Sequence, residues 1–227
     1  MTNKISKFFN INKPIGITSN TALSIFKRKT LIKKCGYAGT LDPFASGVLP
    51  IATNNATKLI TDLVNSDKEY EFIAKFGATT DTGDLDGKIT ATSNKIPTIQ
   101  ELENAIKNNF LGIIRQAPSV YSAIKINGER LCDLARQGDL SALELEQIAE
   151  SRAKDIEIFK FDILEKIDIM HFRFLVVVSK GTYVRKLASD LAEKIGSRCH
   201  LISLIRNRVG EFKIEDSLKL ENLDLLT

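Results

Sequence analysis

The sequence contains few cysteines and histidines, and this shortage excludes several classes of protein. Its three cysteines, Cys35, Cys132 and Cys199, are an odd number and form no CxxC pair. This argues against a disulfide framework and against a zinc site. Because His171 and His200 are the only histidines, a histidine-rich metal centre is not expected either. The composition therefore predicts a protein without a bound metal.

Long apolar runs are also missing. No stretch reaches the roughly 18 apolar residues that a transmembrane helix needs, and the N-terminal MTNKISKFFNINKP lacks the apolar centre of a signal peptide. We therefore expect a cytoplasmic protein without a membrane partner. The chain has 227 residues, of which 43% are hydrophobic, and this suffices for one main domain.

Three common enzyme motifs are absent. The chain contains no GxxxxGK[ST] loop, no GxGxxG turn and no GxSxG elbow, so the usual signatures of nucleotide-driven enzymes, dinucleotide enzymes and serine hydrolases are missing. DTGDLDG, residues 81–87, imitates part of an EF-hand. The match fails because Thr82 occupies the first ligand position and Ser93 the position of the bidentate glutamate. Among the groups that could carry out chemistry, the carboxylates and arginines are left as candidates.

Acidic residues are missing from the first 41 positions, which carry eight lysines or arginines, including Lys4, Lys13, Lys33 and Lys34. A second basic block spans residues 173–208, with eight cations against Asp190 and Glu193. Two such blocks suggest a polyanionic partner. A pair of solvated helix faces is the alternative interpretation.

Strand and helix patterns interleave irregularly along the chain. KEYEFIAKFG and HFRFLVVVS alternate as strands do, whereas ALSIFKRKTLI, ATKLITDLVN and the segment after Thr98 have helical spacing. Thr18 or Ser19, Thr98 and Thr182 are the N-cap candidates, and Glu101 completes a capping box with Thr98. Because strict βαβ repetition is absent, we predict an α+β fold around a mixed, largely antiparallel sheet.

Three residues are candidates for chemistry, and each has a structural alternative. Asp42, in GYAGTLDPFASGVLP, is the first acid of the chain; it is either a turn former or a carboxylate held in place by Pro43 and the neighbouring glycines. Arg185 lies near a helix N-terminus, where the dipole disfavours a cation. It either reaches solvent or pairs with an anion. Tyr70 shares a strand face with phenylalanines and, taken alone, is a core residue.

Six stretches in order resemble the TruB family of pseudouridine synthases. They are NKPIGITSN, GYAGTLDPFASGVLPIATNNATKLI, KEYEFIAKFGATTDTGDLDG, PSVYSAIKINGERLCDLARQG, SKGTYVRKLASDLAEKIG and LIRNRVGEF. The resemblance implies the pseudouridine synthase fold. It also implies that the protein isomerises a uridine, expected at position 55 in the T-arm of tRNA, to pseudouridine. No cofactor or metal is implied, the flipped-out nucleotide is the reacting group, and a monomer is expected.

The resemblance also assigns roles to individual residues. Asp42 matches the catalytic aspartate, acting as nucleophile or as base; Tyr70 matches the tyrosine that stacks on the target base; and Arg185 matches the arginine that pairs with the catalytic carboxylate and keeps it ionised. Tyr183 and Leu204 match residues lining the uracil pocket. Lys13 matches the lysine that supports the catalytic loop.

Two departures from the family pattern shape the expectations. Tyr37 stands where most members carry histidine, and an aromatic ring there still offers a stacking face for RNA. The sequence ends at Thr227, so we expect one catalytic domain with an RNA-gripping insertion at about 117–150 and no C-terminal PUA domain. The alternatives are a tRNA-binding or tRNA-folding module whose catalysis is dispensable and, from another class, a phosphoester hydrolase, which would need a metal.

Overall fold

Strands and helices alternate irregularly along the described residues. A computed structural model describes residues 6–122, 124–126 and 128–226, with side chains as far as Leu223. Lys4 of the first basic block, and Ala123 and Asn127 of the predicted insertion, lie outside the described residues.

The strands and helices follow in chain order. The strands are β1 (Phe8–Lys13), β2 (Cys35–Tyr37), β3 (Ser46–Thr53), β4 (Lys68–Phe76), β5 (Ala78–Thr80), β6 (Ile89–Thr92), β7 (Gly112–Gln116), β8 (Lys125–Ile126), β9 (Glu129–Arg130), β10 (Lys154–Lys166), β11 (His171–Val178), β12 (Cys199–Val209), β13 (Phe212–Lys213) and β14 (Leu218–Lys219). The α-helices are α1 (Ser19–Thr30), α2 (Ile60–Asn65), α3 (Ile99–Asn109), α4 (Leu131–Gln137), α5 (Ala142–Glu150) and α6 (Val184–Lys194), and the 3₁₀ segments are Asn54–Leu59, Ile214–Asp216 and Leu220–Leu226.

The chain divides into two compact units. The first comprises Met1–Phe72, Leu175–Lys180 and Ser203–Thr227, and the second comprises Ile73–Phe174 and Gly181–Ile202. The strands β4, β11 and β12 contribute residues to both. The prediction of a single domain with an insertion at about 117–150 stays a prediction.

The sheet of the first unit is mixed. β1 pairs antiparallel with β3, with Ile11 opposite Leu49, whereas β12 pairs parallel with β3, with Arg206 opposite Gly47. α1 covers one face, because Ala22 and Phe26 are buried in a cluster that includes Ile11 and Leu49. This arrangement, together with the antiparallel pairs of the second unit, confirms the predicted α+β class.

The second unit pairs β10 antiparallel with β7, with Ile156 opposite Ile114, and the order of its sheet strands is β4-β11-β10-β7. Its core contains edge-to-face phenylalanine pairs such as Phe161 and Phe174. α3 begins with the predicted capping box of Thr98 and Glu101. The polar stretch before residue 150 contains α4 and α5, whose apolar faces meet at Leu131 and Leu145.

Two details of the predicted helices are wrong. The N-cap of α6 is Tyr183 rather than Thr182, and its side chain makes no cap bond. The side-chain amide of Gln116 fixes the backbone of Tyr183 by accepting from its amide and donating to its carbonyl. The helical pattern after Asn54 is a 3₁₀ segment followed by the short α2, which leaves Leu59 half exposed. Thr18, by contrast, caps α1 as predicted by accepting a bond from the amide of Thr21.

Among the helices of the described residues, the longest is α1 with 12 residues, and none has the length and hydropathy required to span a bilayer.

Candidate active site

The loop between β2 and β3 places Asp42 in a heavily bonded segment of the first unit. The amide of Ala45 donates to the carbonyl of Asp42 at 3.1 Å, and the amide of Gly16 donates to the carbonyl of Pro43 at 2.8 Å. The Ser19 hydroxyl accepts from the Leu41 amide at 2.8 Å and also lies 3.1 Å from the Leu41 carbonyl, to which it can donate. These bonds hold the backbone on both sides of Asp42.

Lys13, at the end of β1, is buried beneath this loop. Its ammonium donates to the carbonyls of Pro14 and Ile17 at 2.8 Å each and to that of Pro43 at 3.5 Å. Burial lowers its pKa from 10.5 to about 8, the attraction of Asp42 opposes that shift, and the nearby cation of Arg206 adds to it. Lys13 and Asp42 therefore lie within electrostatic range of each other.

Tyr70 and Leu204 are both buried in the first unit. Tyr70 lies on the inward face of β4 with Lys68 and Phe72, and Leu204 lies on β12. Lys68 is a buried lysine that the sequence did not single out. Its ammonium donates to the carbonyls of Val64 and Ser66, and burial, helped by the charge of Arg206, lowers its pKa to about 8.

Tyr37 lies at the end of β2, opposite Ile51 of β3. It is half-buried and packs against the apolar cluster under α1. Tyr37 therefore contributes to the core without being fully buried.

Arg185 and Tyr183 belong to the second unit, where Arg185 is buried at the start of α6. Its guanidinium donates to the carboxylate of Asp84 at 3.2 Å, to the carbonyl of Thr82 at 2.6 Å and to the carbonyl of Tyr121 at 3.3 Å. The side chains of Arg185 and Asp84 are only 8% and 7% exposed. This ion pair gives the cation near the helix N-terminus one anionic partner.

Asp84 was missed at the sequence level, although it lies in the DTGDLDG loop. Its carboxylate also accepts from the hydroxyl of Thr82 at 2.6 Å and from the amide of Asp86 at 3.1 Å. The Asp81 carboxylate accepts from the amides of Thr82 and Lys88. These carboxylates organise the loop by bonding its backbone amides and the Thr82 hydroxyl.

Two solved structures have a fold similar to that of this chain and indicate its fold class. A chain of a Cbf5–Nop10–Gar1 complex superimposes with a TM-score of 0.73 and 27% identity, covering 99% of this chain and 55% of that one. A chain of an H/ACA RNP bound to a substrate RNA containing 2′-deoxyuridine has a TM-score of 0.70 at 24% identity, covering 97% and 53%. The molecule therefore has the fold of the pseudouridine synthases.

Similarity of sequence identifies the family within this fold class. Residues 27–184 match the N-terminal domain of the TruB family pseudouridylate synthases. The tRNA pseudouridine synthase B of Ureaplasma urealyticum is 40% identical over 94% of this chain and 90% of its own length. The chain belongs to the TruB family.

The relatives differ in length from this chain. The tRNA pseudouridine synthase B of Bradyrhizobium diazoefficiens is also 40% identical over 95% of this chain, but the match covers 60% of the relative. For the enzyme of the same description from Clostridium tetani, that share is 71%. The chain thus spans between about half and nine tenths of the proteins it resembles.

Proposed function

We propose that this protein isomerises a uridine of tRNA to pseudouridine, at position 55 of the T-arm. The observation that carries the proposal is the bonded loop around Asp42, which belongs to a chain of the TruB family. Relatives described as tRNA pseudouridine synthase B support tRNA as the substrate. The surface cations of the first basic block support a polyanionic partner.

The proposed reaction leaves the atomic composition of the nucleotide unchanged. The bond between N1 of uracil and C1′ of the ribose breaks, the uracil rotates, and a bond from C5 to C1′ replaces it. The C5 proton leaves and N1 gains one, so neither oxidant nor energy source is required. The nucleotide must leave its stack to reach the enzyme, which is why the proposal needs a pocket as well as a carboxylate.

Asp42 is the proposed reacting group. It acts on the flipped nucleotide either as a nucleophile, at C1′ or at a base carbon, or as a base at C2′. The support is a backbone fixed at Leu41, Asp42 and Pro43, since a fixed backbone restricts where its carboxylate can lie.

The remaining roles are proposed from the family resemblance. Tyr70 stacks on the target base, Arg185 pairs with the carboxylate of Asp42, and Tyr183 and Leu204 line the uracil pocket. In this proposal Arg185 serves two carboxylates, because its guanidinium already bonds Asp84. Five N–H donors in a planar fork permit such sharing.

The RNA contacts form the second part of the proposal. Tyr37, which is only partly buried, stacks on an unpaired base of the opened T-loop, and the insertion at about 117–150 grips the RNA. We place the enzyme in the cytoplasm as a monomer without cofactor or metal, as the sequence predicts.

Release of tritium from tRNA labelled at C5 of uridine tests the function. The wild type should release it and Asp42→Asn should not, because an amide neither attacks carbon nor accepts the proton. Asp62→Asn is the matched control, since Asp62 is an exposed acid on α2. Equal release by wild type and Asp42→Asn would refute the proposed role.

A tRNA-folding module with dispensable catalysis is the second candidate, favoured by the exposed cations Arg28, Lys33 and Lys34. Asp42→Asn should then retain both tRNA binding and refolding of denatured tRNA. Loss of both activities in a folded Asp42→Asn protein would exclude this candidate.

A further inference from the structure

Each residue from Gly39 to Pro43 has a backbone group bonded to another part of the first unit or within the loop. The amide and carbonyl of Leu41 bond Ser19, the carbonyl of Asp42 accepts from Ala45, and the carbonyl of Pro43 accepts from Gly16 and Lys13. The carbonyls of Gly39 and Thr40 accept from a single side chain, Arg206. Arg206 thus bonds the side of the loop that precedes Asp42.

Arg206 lies on β12 and is only 1% exposed. Its Nη2 donates to the Gly39 carbonyl at 2.9 Å and its Nη1 to the Thr40 carbonyl at 3.4 Å. Its Nε donates to the carbonyl of Val48 at 2.7 Å. One guanidinium therefore joins the segment before Asp42 to the strand that follows it.

Glycines make room for this approach at both ends of the loop. A Cβ on Gly39 would lie 3.2 Å from Nη1 of Arg206, and one on Gly47 would lie 2.3 Å from the Arg206 carbonyl oxygen. Both glycines have positive φ angles, 75° and 109°, which other residues rarely adopt. The loop and β12 are thus fitted to each other at backbone level.

The chemistry of the side chain matters as much as its place. Three different nitrogens of Arg206 are used, and a planar guanidinium holds them in fixed directions, whereas a lysine ammonium is one compact charge on a flexible stem. Burying a cation is costly, and an apolar residue of similar volume often stabilises a core as well or better. A buried arginine bonded across a proposed catalytic loop therefore suggests a role beyond packing.

We infer that Arg206 is a positioning residue, which holds the backbone around Asp42 so that the carboxylate occupies its reactive position before RNA binds. It acts through the loop and not by touching the substrate. The inference rests on the proposed function, because it assumes that Asp42 is the reacting group.

The first measurement follows the loop in the free enzyme by amide hydrogen exchange. In Arg206→Lys, the peptide covering residues 38–49 should exchange at least about tenfold faster than in the wild type, because the carbonyl bonds of Gly39 and Thr40 are lost. Arg208→Lys is the control on the same strand, since Arg208 pairs with Asp67 at 2.6 Å. It should leave exchange of that peptide unchanged.

The second measurement separates positioning from binding. In single-turnover assays on tRNA, Arg206→Lys should lower the rate of chemistry by about 10- to 100-fold, since a small displacement of a reacting group has that effect. The dissociation constant for tRNA should stay within about twofold of the wild type. Arg208→Lys should keep the wild-type rate of chemistry.

Ser19→Ala provides an independent variant of the same loop, because Ser19 bonds both the amide and the carbonyl of Leu41. It should speed exchange of the same peptide and slow chemistry with unchanged tRNA binding. If Arg206→Lys does not fold, the same exchange and single-turnover measurements on Arg206→Gln decide whether Arg206 positions the loop, and Ser19→Ala provides the comparison for a loosened loop.

Three outcomes would overturn the inference: unchanged exchange in a folded Arg206 variant, unchanged chemistry, or a loss that lies entirely in tRNA binding. An inactive wild type would reject the proposed function instead. In that case the exchange data alone would show whether Arg206 holds the loop, and unchanged exchange would reject the inference as well.

Discussion

At the scale of single residues, Lys13 shows how burial changes the meaning of a charge. In the sequence it is one of eight cations in a segment without acids, which suggests a surface for a polyanion. In the structure its side chain is fully buried and its ammonium bonds three carbonyls. Lys13 is therefore a buried cation bonded to the backbone of the Asp42 loop and not a surface charge.

The pKa of Lys13 has a consequence for stability. Burial lowers that pKa from 10.5 to about 8 in the folded protein, so between pH 8 and 10.5 the unfolded chain binds more protons. The free energy of unfolding should accordingly rise with pH through this window. Between pH 7.5 and 9.5 this rise should be about 2 kcal/mol larger in the wild type than in Lys13→Met.

Urea unfolding of both proteins at the two pH values provides the measurement. Lys68 has a similarly lowered pKa, but it is present in both proteins, so its contribution cancels in the difference. An identical pH dependence in Lys13→Met and wild type would contradict the assigned pKa shift.

Asp84 should be costly to replace, because its carboxylate is buried against Arg185. Removing its charge leaves the buried guanidinium of Arg185 without this ion pair. Asp84→Asn should lower the free energy of unfolding by about 3 kcal/mol, as expected when one partner of a buried pair is removed. Asp86→Asn, an exposed acid of the same loop, should change it by less than about 0.5 kcal/mol. Similar losses in the two variants, measured by urea unfolding, would be inconsistent with a buried pair.

At the scale of elements, the join between β3 and β12 depends on a glycine. Alanine at Gly47 would bring its Cβ within 2.3 Å of a backbone oxygen of Arg206, a contact that requires one strand to move. Gly47→Ala should therefore destabilise the protein by about 3 kcal/mol or more.

Gly16→Ala is the control for backbone strain alone. Gly16 also has a positive φ angle, 87°, but its Cβ would meet no atom within 4 Å. This variant should lose about 1 kcal/mol, the cost of the left-handed conformation. Thermal and urea unfolding compare the two variants, and an equal loss would show that the close approach of β12 is unimportant.

The elements themselves were predictable where a local pattern suffices. The alternation of β4, the N-cap Thr18 and the capping box at Thr98 follow from nearest neighbours in the chain. The residue at which α6 begins was not predictable, because the backbone of its N-cap, Tyr183, is held by Gln116, which lies 67 positions away. The short helices α4 and α5 were not predicted either, because their apolar faces become evident only when they pack on each other.

At the scale of the whole molecule, surface charge should govern affinity for RNA. Lys33 and Lys34 are exposed, and each phosphate neutralised releases counterions. The plot of log affinity against log salt concentration has a negative slope. In the double variant Lys33→Gln/Lys34→Gln this slope should be shallower by about 1.5. Filter binding of tRNA at several salt concentrations measures the slope.

The matched control for that prediction is Lys160→Gln/Lys219→Gln. These lysines are each already close to an acid, Lys160 to Asp162 at 2.9 Å and Lys219 to Glu221 at 3.9 Å. Their replacement should leave the salt slope unchanged. Equal slopes for the wild type and the Lys33/Lys34 variant would show that these two lysines do not contact the RNA.

The sequence by itself determined the α+β class and the TruB family, because both depend on local periodicity and on motifs of adjacent residues, and it singled out Asp42, Tyr70 and Arg185 as candidates. Only the tertiary structure decided that Lys13 is buried, that Asp84 pairs with Arg185 and that Arg206 bonds the loop of Asp42. These contacts join residues 30 to 167 positions apart. The physical reason is that burial and charge pairing depend on which distant segments pack together. Patterns among neighbouring residues do not specify these long-range contacts.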